Sequence, residues 1–184
     1  GLDEDCFVIG FVGALENWLD LEEVIRGLSE LLHTKSDIYL AIIGGALFTD
    51  YEAMLKKLVK EKRIENNVRF YGLIDYKNLP KYIAGMDVCL IPFKITPISD
   101  ISLPNKFFEY SACGKPILST PLPDVMKVGA ENLFIYRDKK EFVAKVKYIM
   151  ANPREYEMDI NEYSWKRKAK DFESLLQELI AGYK

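Results

Sequence analysis

The feature that most constrains this chain is a repeated alternation of short, continuous apolar runs with amphipathic stretches, punctuated by glycine or polar turns. Residues 6–12 (CFVIGFV) show no polar alternation, which suits a strand covered on both faces. Leu21, Val24, Ile25, Leu28, Leu31 and Leu32 then recur at helical steps, forming one stripe of a helix that runs to about His33. Asp20 and Glu23 are spaced to cap it reciprocally. DIYLAIIGG repeats the buried-type strand, and Thr49 and Glu52 stand at capping-box spacing before YEAMLKKLVKEKRI. NVRFYG, DVCLIPF, PILST and NLFIY read as further strands. Leu79, Tyr82, Ile83 and Met86 mark a small helix, DKKEFVAKVKYIMAN a longer one, and a last helix is expected over about 164–180. Pro104 suits the first turn of a helix through Cys113, and Gly114 its left-handed exit.

Parallel neighbours need crossover helices, and helices on both faces bury such a sheet. The pattern predicts a doubly wound, Rossmann-like parallel α/β sheet of about six strands, ending in a long helix. A single domain over 1–184 is long enough to hold a core without disulfides or metal. The start at Gly1, with a strand almost at once, suggests a longer protein whose upstream domain is absent from this chain.

Composition removes several classes. A net charge of −3 argues against a general nucleic-acid binder. Cys6, Cys89 and Cys113 are odd in number and lack CxxC spacing, so they read as buried thiols of a reducing, cytoplasmic compartment. The longest apolar stretch, 38–48, is too short to cross a bilayer and is broken by Gly44 and Gly45. No metal is expected: His33 is the only histidine, and Asp3, Glu4 and Asp5, despite their DxD spacing, read as solvated terminal charge. GxGxxG is missing after the first strand and GxxxxGK[ST] is missing throughout, which disfavours NAD chemistry and P-loop hydrolysis.

Ligands of such sheets bind beyond the carboxyl ends of the strands, among glycine turns and helix N-termini. Candidates there are Gly13, Gly44, Gly45, Gly72, the loop 93–103, and the helix start at Pro104, Asn105 and Lys106. One glycine alone serves a turn as readily as a ligand, so the inference rests on convergence. In SLPNKFFEYSACGKPILSTPLP, a helix N-terminus with Lys106 suits a diphosphate, and Glu109 suits two ribose hydroxyls. The same two residues also fit a solvated i,i+3 pair. Phe107, Phe108 and Tyr110 have core spacing, whereas Trp18 lies in a ligand-end loop that packing explains less well. SWKRKAKDF fits a solvated helix face, and also an acidic membrane surface or an upstream domain.

FVGALENWLDLEEVIRGL, VRFYG and PNKFFEYSACGKPILST, in that order, resemble the C-terminal, nucleotide-sugar-binding domain of GT-B glycosyltransferases of the group 1 family. The resemblance covers almost the whole chain and is most specific over 104–120. It implies sugar transfer from a nucleoside diphosphate sugar to an acceptor, in polysaccharide or glycoconjugate synthesis, with no metal or other cofactor. It also implies an upstream acceptor domain that supplies part of the catalytic machinery, and contact with the inner membrane face; the isolated domain would bind without turning over. On this resemblance Glu109 holds the ribose, and Leu103, Pro104, Asn105 and Lys106 meet the diphosphate. Leu73 and Ile74, after Gly72, lie against the base, while Gly13, Ala14, Gly44 and Gly45 complete the donor site.

Two departures stand out. The first glutamate of the family's E-x7-E pattern falls on Ile101, with Asp100 adjacent. Ala14 and Leu19 occupy the places of an arginine and a lysine that meet the diphosphate. Positive charge then has to come from Lys106, from Lys94 or from the absent half. The departures keep two other readings open: a nucleotide-binding regulatory module without chemistry, and a protein-binding α/β scaffold.

Overall fold

The six apolar runs form six parallel strands in the computed structural model, which describes residues 6–157 and 160–182. In chain order these are β1 (Phe7–Val12), β2 (Ile38–Ile43), β3 (Val68–Gly72), β4 (Val88–Ile91), β5 (Ile117–Ser119) and β6 (Leu133–Ile135). The helices are α1 (Leu21–Leu32), α2 (Tyr51–Glu61), α3 (Leu79–Ala84), α4 (Asn105–Ala112), α5 (Pro123–Lys127), α6 (Lys139–Ala151) and α7 (Trp165–Gly182). Asp3, Glu4 and Asp5 lie outside the described residues.

The sheet order is β3-β2-β1-β4-β5-β6, so the chain winds outward from β1 in one direction and then from β4 in the other. The switch between β1 and β4 opens a crevice at the carboxyl edge. The two strands pair only through Ile9 with Val88 and Gly10 with Cys89, so beyond those residues they part.

Alternate side chains of β1 enter opposite cores, as a doubly covered strand requires. Ile9 and Phe11 pack with α1, α2 and α6 through residues such as Val24, Leu55 and Phe142. Val8 and Val12 pack with α3, α4 and α5 through Ile83, Phe107 and Val125. Burying each such side chain contributes about 1.5–3 kcal/mol. The central strands are covered almost throughout, whereas β3, which carries Arg69, and the apolar β6, at the edges, are half-exposed.

Three local expectations are corrected. Asp20 stands at the N-cap of α1, but its side chain makes no capping hydrogen bond. Thr49 and Glu52 form no capping box, because the Thr49 hydroxyl donates to Glu16 Oε2 at 2.8 Å and Glu52 pairs with Lys56 at 2.6 Å. Pro104 is the extended N-cap residue of α4 rather than a first-turn residue. The segment after β5 adds a helix, α5, that no periodicity announced. No residue of α7 is buried, and among the described residues no helix is long and apolar enough to cross a membrane.

Candidate functional site

Backbone hydrogen bonds lace together the turns that end β1, β2 and β3. Gly13 N donates to the Ile43 carbonyl at 2.9 Å, Leu15 N to Gly45 at 3.0 Å, and Gly44 N to Gly72 at 2.8 Å. Gly44 has φ +134°, and a Cβ there would collide with the Gly13 carbonyl oxygen, so two backbones meet where no side chain fits.

Glu16, which the sequence did not single out, is fully buried beneath these turns. Its carboxylate accepts from Leu47 N at 2.8 Å, Phe48 N at 3.0 Å and the Thr49 hydroxyl at 2.8 Å. Burial pushes its carboxyl upward, but the three donors outweigh burial and leave the pKa below the usual glutamate value. A glutamate in a polar loop reads as solvated, and only the fold brings residues 47–49 to it.

On the other side of the crevice, Tyr110 fixes α4. Its buried hydroxyl accepts from Val12 N at 3.0 Å, satisfying an amide at the end of β1 just where β4 has diverged. Lys106 lies one helical turn earlier on the same face, so its side chain reaches across the crevice. A Cβ built on Gly13 would be 2.8 Å from Lys106 Nζ, and Gly13 has φ +150°, a conformation that favours glycine. The ammonium lies over two rings, 4.3 Å from the Phe11 centroid and 5.3 Å from that of Phe93. Among the described residues it has no ion-pair partner, so the solvated Lys106–Glu109 pair does not form. Burial pulls its pKa down to about 8, against a small opposing effect of Glu109. The amides of Asn105 and Lys106 open α4 without an acceptor among the described residues, and no side chain caps the helix.

Glu109 lies a turn further along α4, where the Tyr76 hydroxyl donates to its Oε1 at 3.5 Å. A cavity of about 460 Å³ lies beside it, lined also by Asn105, Phe108 and, from the C-terminal segment, Tyr163 and Trp165. Phe108 stacks on Tyr163, with centroids 4.8 Å apart. A second cavity, of about 390 Å³, opens at Phe93, Ser102, Leu103, Pro104 and Asn105. Ala14 is partly exposed on the β1 turn, Gly45 lies 3.9 Å from Leu73 as measured from a built Cβ, and Leu73 is 77% exposed at the rim. Ile74, expected against a base, instead packs partly into the α3–α5 core.

Two other expectations come apart. Lys94 is engaged elsewhere: it donates to the Asn17 carbonyl at 3.0 Å, pairs with Glu22 at 3.3 Å and lies over the Tyr51 ring. Asp100 is exposed on a 3-10 turn, Ser99–Ile101, whose Ser99 is buried, and it lines neither cavity. Phe107 and Tyr110 are core, as their spacing suggests, while Trp18 remains 52% exposed. Among the described residues, no group of three or more His, Cys, Asp or Glu side chains is placed to hold a metal ion.

A doubly wound parallel sheet defines a Rossmann-like domain, and its switch crevice holds a cation with no ion-pair partner among the described residues beside an uncapped helix start. The chain belongs to a family within that class: residues 6–152 match the model of the glycosyl transferases group 1 family. It is 28% identical over 129 residues to TuaH of Bacillus subtilis (strain 168), whose name assigns it to teichuronic acid biosynthesis as a glycosyltransferase; the match covers 70% of this chain and 30% of TuaH. Anabaena Alr3699/HepE, solved in complex with UDP, superposes with a TM-score of 0.70 at 20% identity, over 82% of this chain and 40% of that one. Sucrose-phosphate synthase from Thermosynechococcus elongatus superposes with a TM-score of 0.81 at 19% identity, over 98% of this chain and 47% of that one. The chain thus spans less than half the length of these relatives.

Proposed function

We propose that this chain is the donor-binding half of a glycosyltransferase that uses a UDP-linked sugar and no metal. The observation that carries the reading is the unpaired Lys106 ammonium held over the β1–β4 crevice beside the free amides of α4. The diphosphate would lie there, with Lys106 and the helix start stabilising the departing nucleotide as the glycosidic bond breaks. Glu109 would accept from the ribose hydroxyls and so orient the anomeric carbon. Leu103, Pro104 and Asn105 form the wall along the phosphates, the turns at Gly13, Ala14, Gly44 and Gly45 the floor, and Gly72 and Leu73 the rim toward the base. HepE, solved with UDP, supports the choice of base.

The acceptor and a catalytic base would come from an upstream domain; the relatives' greater length and the uncovered apolar side of α7 support this. Likeness to TuaH supports a role in polysaccharide synthesis, and the buried Cys89 thiol fits a reducing cytoplasm, at the inner face of the membrane. Ile101, 79% exposed where the family pattern has a carboxylate, favours a second reading, in which nucleotide binds without transfer.

Calorimetry with UDP, GDP and ADP tests the site. UDP is expected to bind tightest, and Glu109→Ala to weaken it by about 1.5–3 kcal/mol with the fold intact. Unchanged affinity refutes the ribose role, and absence of saturable binding refutes the nucleotide site. Donor hydrolysis or transfer by the chain joined to its upstream half separates the enzyme from the sensor.

A further inference from the structure

A third cavity at the carboxyl edge has walls unlike those beside Glu109. It measures about 600 Å³ and is faced by Trp18, Phe93, Pro97 and Ile98. Trp18 is half-exposed, yet its backbone is fixed: its carbonyl accepts from Lys94 N at 2.8 Å, and Leu19 bridges to Phe93 in antiparallel fashion. A half-open indole on a fixed backbone is a platform for a ligand.

The hydroxyls at this cavity are already engaged. Ser99 Oγ donates to the Thr96 carbonyl and Ser102 Oγ to the Ile98 carbonyl, each at 2.8 Å. Thr96 Oγ1 accepts from Ser99 N at 3.2 Å. None of its described lining residues carries a charge. A ligand group entering here meets mainly the apolar surface of Trp18, Phe93, Pro97 and Ile98, with the Asn17 carboxamide at the edge, and each ligand hydroxyl buried without a partner carries a desolvation cost.

Position says which part of a ligand arrives. Phe93 and Ser102 line both this cavity and the one at Pro104 and Asn105. The Phe93 ring also carries the Lys106 ammonium at 5.3 Å, so with the ribose at Glu109, in a cavity that shares no wall with this one, phosphates held by Lys106 would put their distal substituent at the mouth of the Trp18 cavity. In a nucleoside diphosphate sugar that substituent is the sugar.

We infer that the Trp18 cavity is the sugar subsite and selects a hexose bearing a methyl group, either as a 6-deoxy carbon or as an N-acetyl substituent, over an unsubstituted hexose. The inference rests on the nucleotide-sugar reading. The methyl packs against Trp18 and Ile98.

Calorimetry on this chain with UDP, UDP-glucose, UDP-N-acetylglucosamine and UDP-rhamnose tests it. One of the two methyl-bearing donors is expected to bind at least about tenfold tighter than UDP-glucose. Which one does so tells acetamido from 6-deoxy recognition. In Trp18→Ala, and separately in Ile98→Ala, that ratio is expected to fall toward one. In a Trp165→Phe background Trp18 is the only tryptophan, and its emission should shift with the preferred donor and not with UDP. UDP binding with equal affinity for all three sugars, or a preference that survives both alanine variants, overturns the sugar subsite and leaves the nucleotide site standing. Failure of UDP itself to bind overturns the nucleotide reading and this one with it.

Discussion

Two loops at one edge of the sheet offer backbone amides to an anion, and only one is already filled. At residues 47–49 the amides and a hydroxyl close on Glu16, a carboxylate from the same chain. At the start of α4 the amides of Asn105 and Lys106 stay open, and the nearby ammonium rests on aromatic rings instead of a counter-ion. The filled loop ties the fold together. The open one holds a charge in partly desolvated surroundings at a cost to stability, the arrangement that the proposed diphosphate site would use.

Lys106→Met should break this contrast most sharply. UDP affinity is expected to fall roughly a hundredfold, as charge-assisted hydrogen bonds are lost. The free protein should melt higher, because holding the ammonium near 8 withholds on the order of 1–3 kcal/mol from the fold at neutral pH. Calorimetry and a thermal melt check the pair of effects, and a lower melting temperature with UDP affinity intact would reverse the assignment. Tyr110→Phe comes next: Val12 N loses its buried acceptor, for an expected loss of about 1–3 kcal/mol in urea unfolding, together with weaker UDP binding as Lys106 loses its anchor.

The third effect depends on pH. A bound diphosphate favours protonated Lys106, so UDP affinity should hold below about pH 8 and decline above it. The free chain should change in the opposite sense. Between about 8 and the ordinary lysine value the unfolded state binds more protons than the folded one, so stability rises with pH across that window. Both slopes should vanish in Lys106→Met. The smallest change expected is Glu16→Gln, with a melting temperature lower by about 3 °C and little change in UDP affinity. Glu16 has a lowered pKa, so its contribution is present above the usual glutamate range and fades as pH falls through the folded value. The variant should lose that acid sensitivity.

How far the sequence foretold all this follows from which forces are local. Strand–helix alternation is written in consecutive residues, so the parallel sheet and its covered centre were legible. The edge strand β6 was not distinguished from central ones, because LFI is as apolar as its buried neighbours and differs only in what stands beside it; β3 carried a hint in Arg69, which is exposed. The segment holding Lys106 and Glu109 could be read because helix start, cation and carboxylate are contiguous. Glu16 and Tyr76 could not, since each gains its role from a residue about thirty positions away. Lys94 misled for the same reason, being claimed by Glu22 and Asn17 across a loop pairing that no local pattern announces.

The meeting of Gly13 and Gly44 has a consequence for how such a domain can change its substrate. Where peptide groups press together with no side chains between them, mutation has almost nothing to vary, so that surface is frozen. New preferences must be written into the border around it, in Leu73, Tyr76, Trp18 and Ile98, where side chains of many sizes can be tried without disturbing what lies beneath.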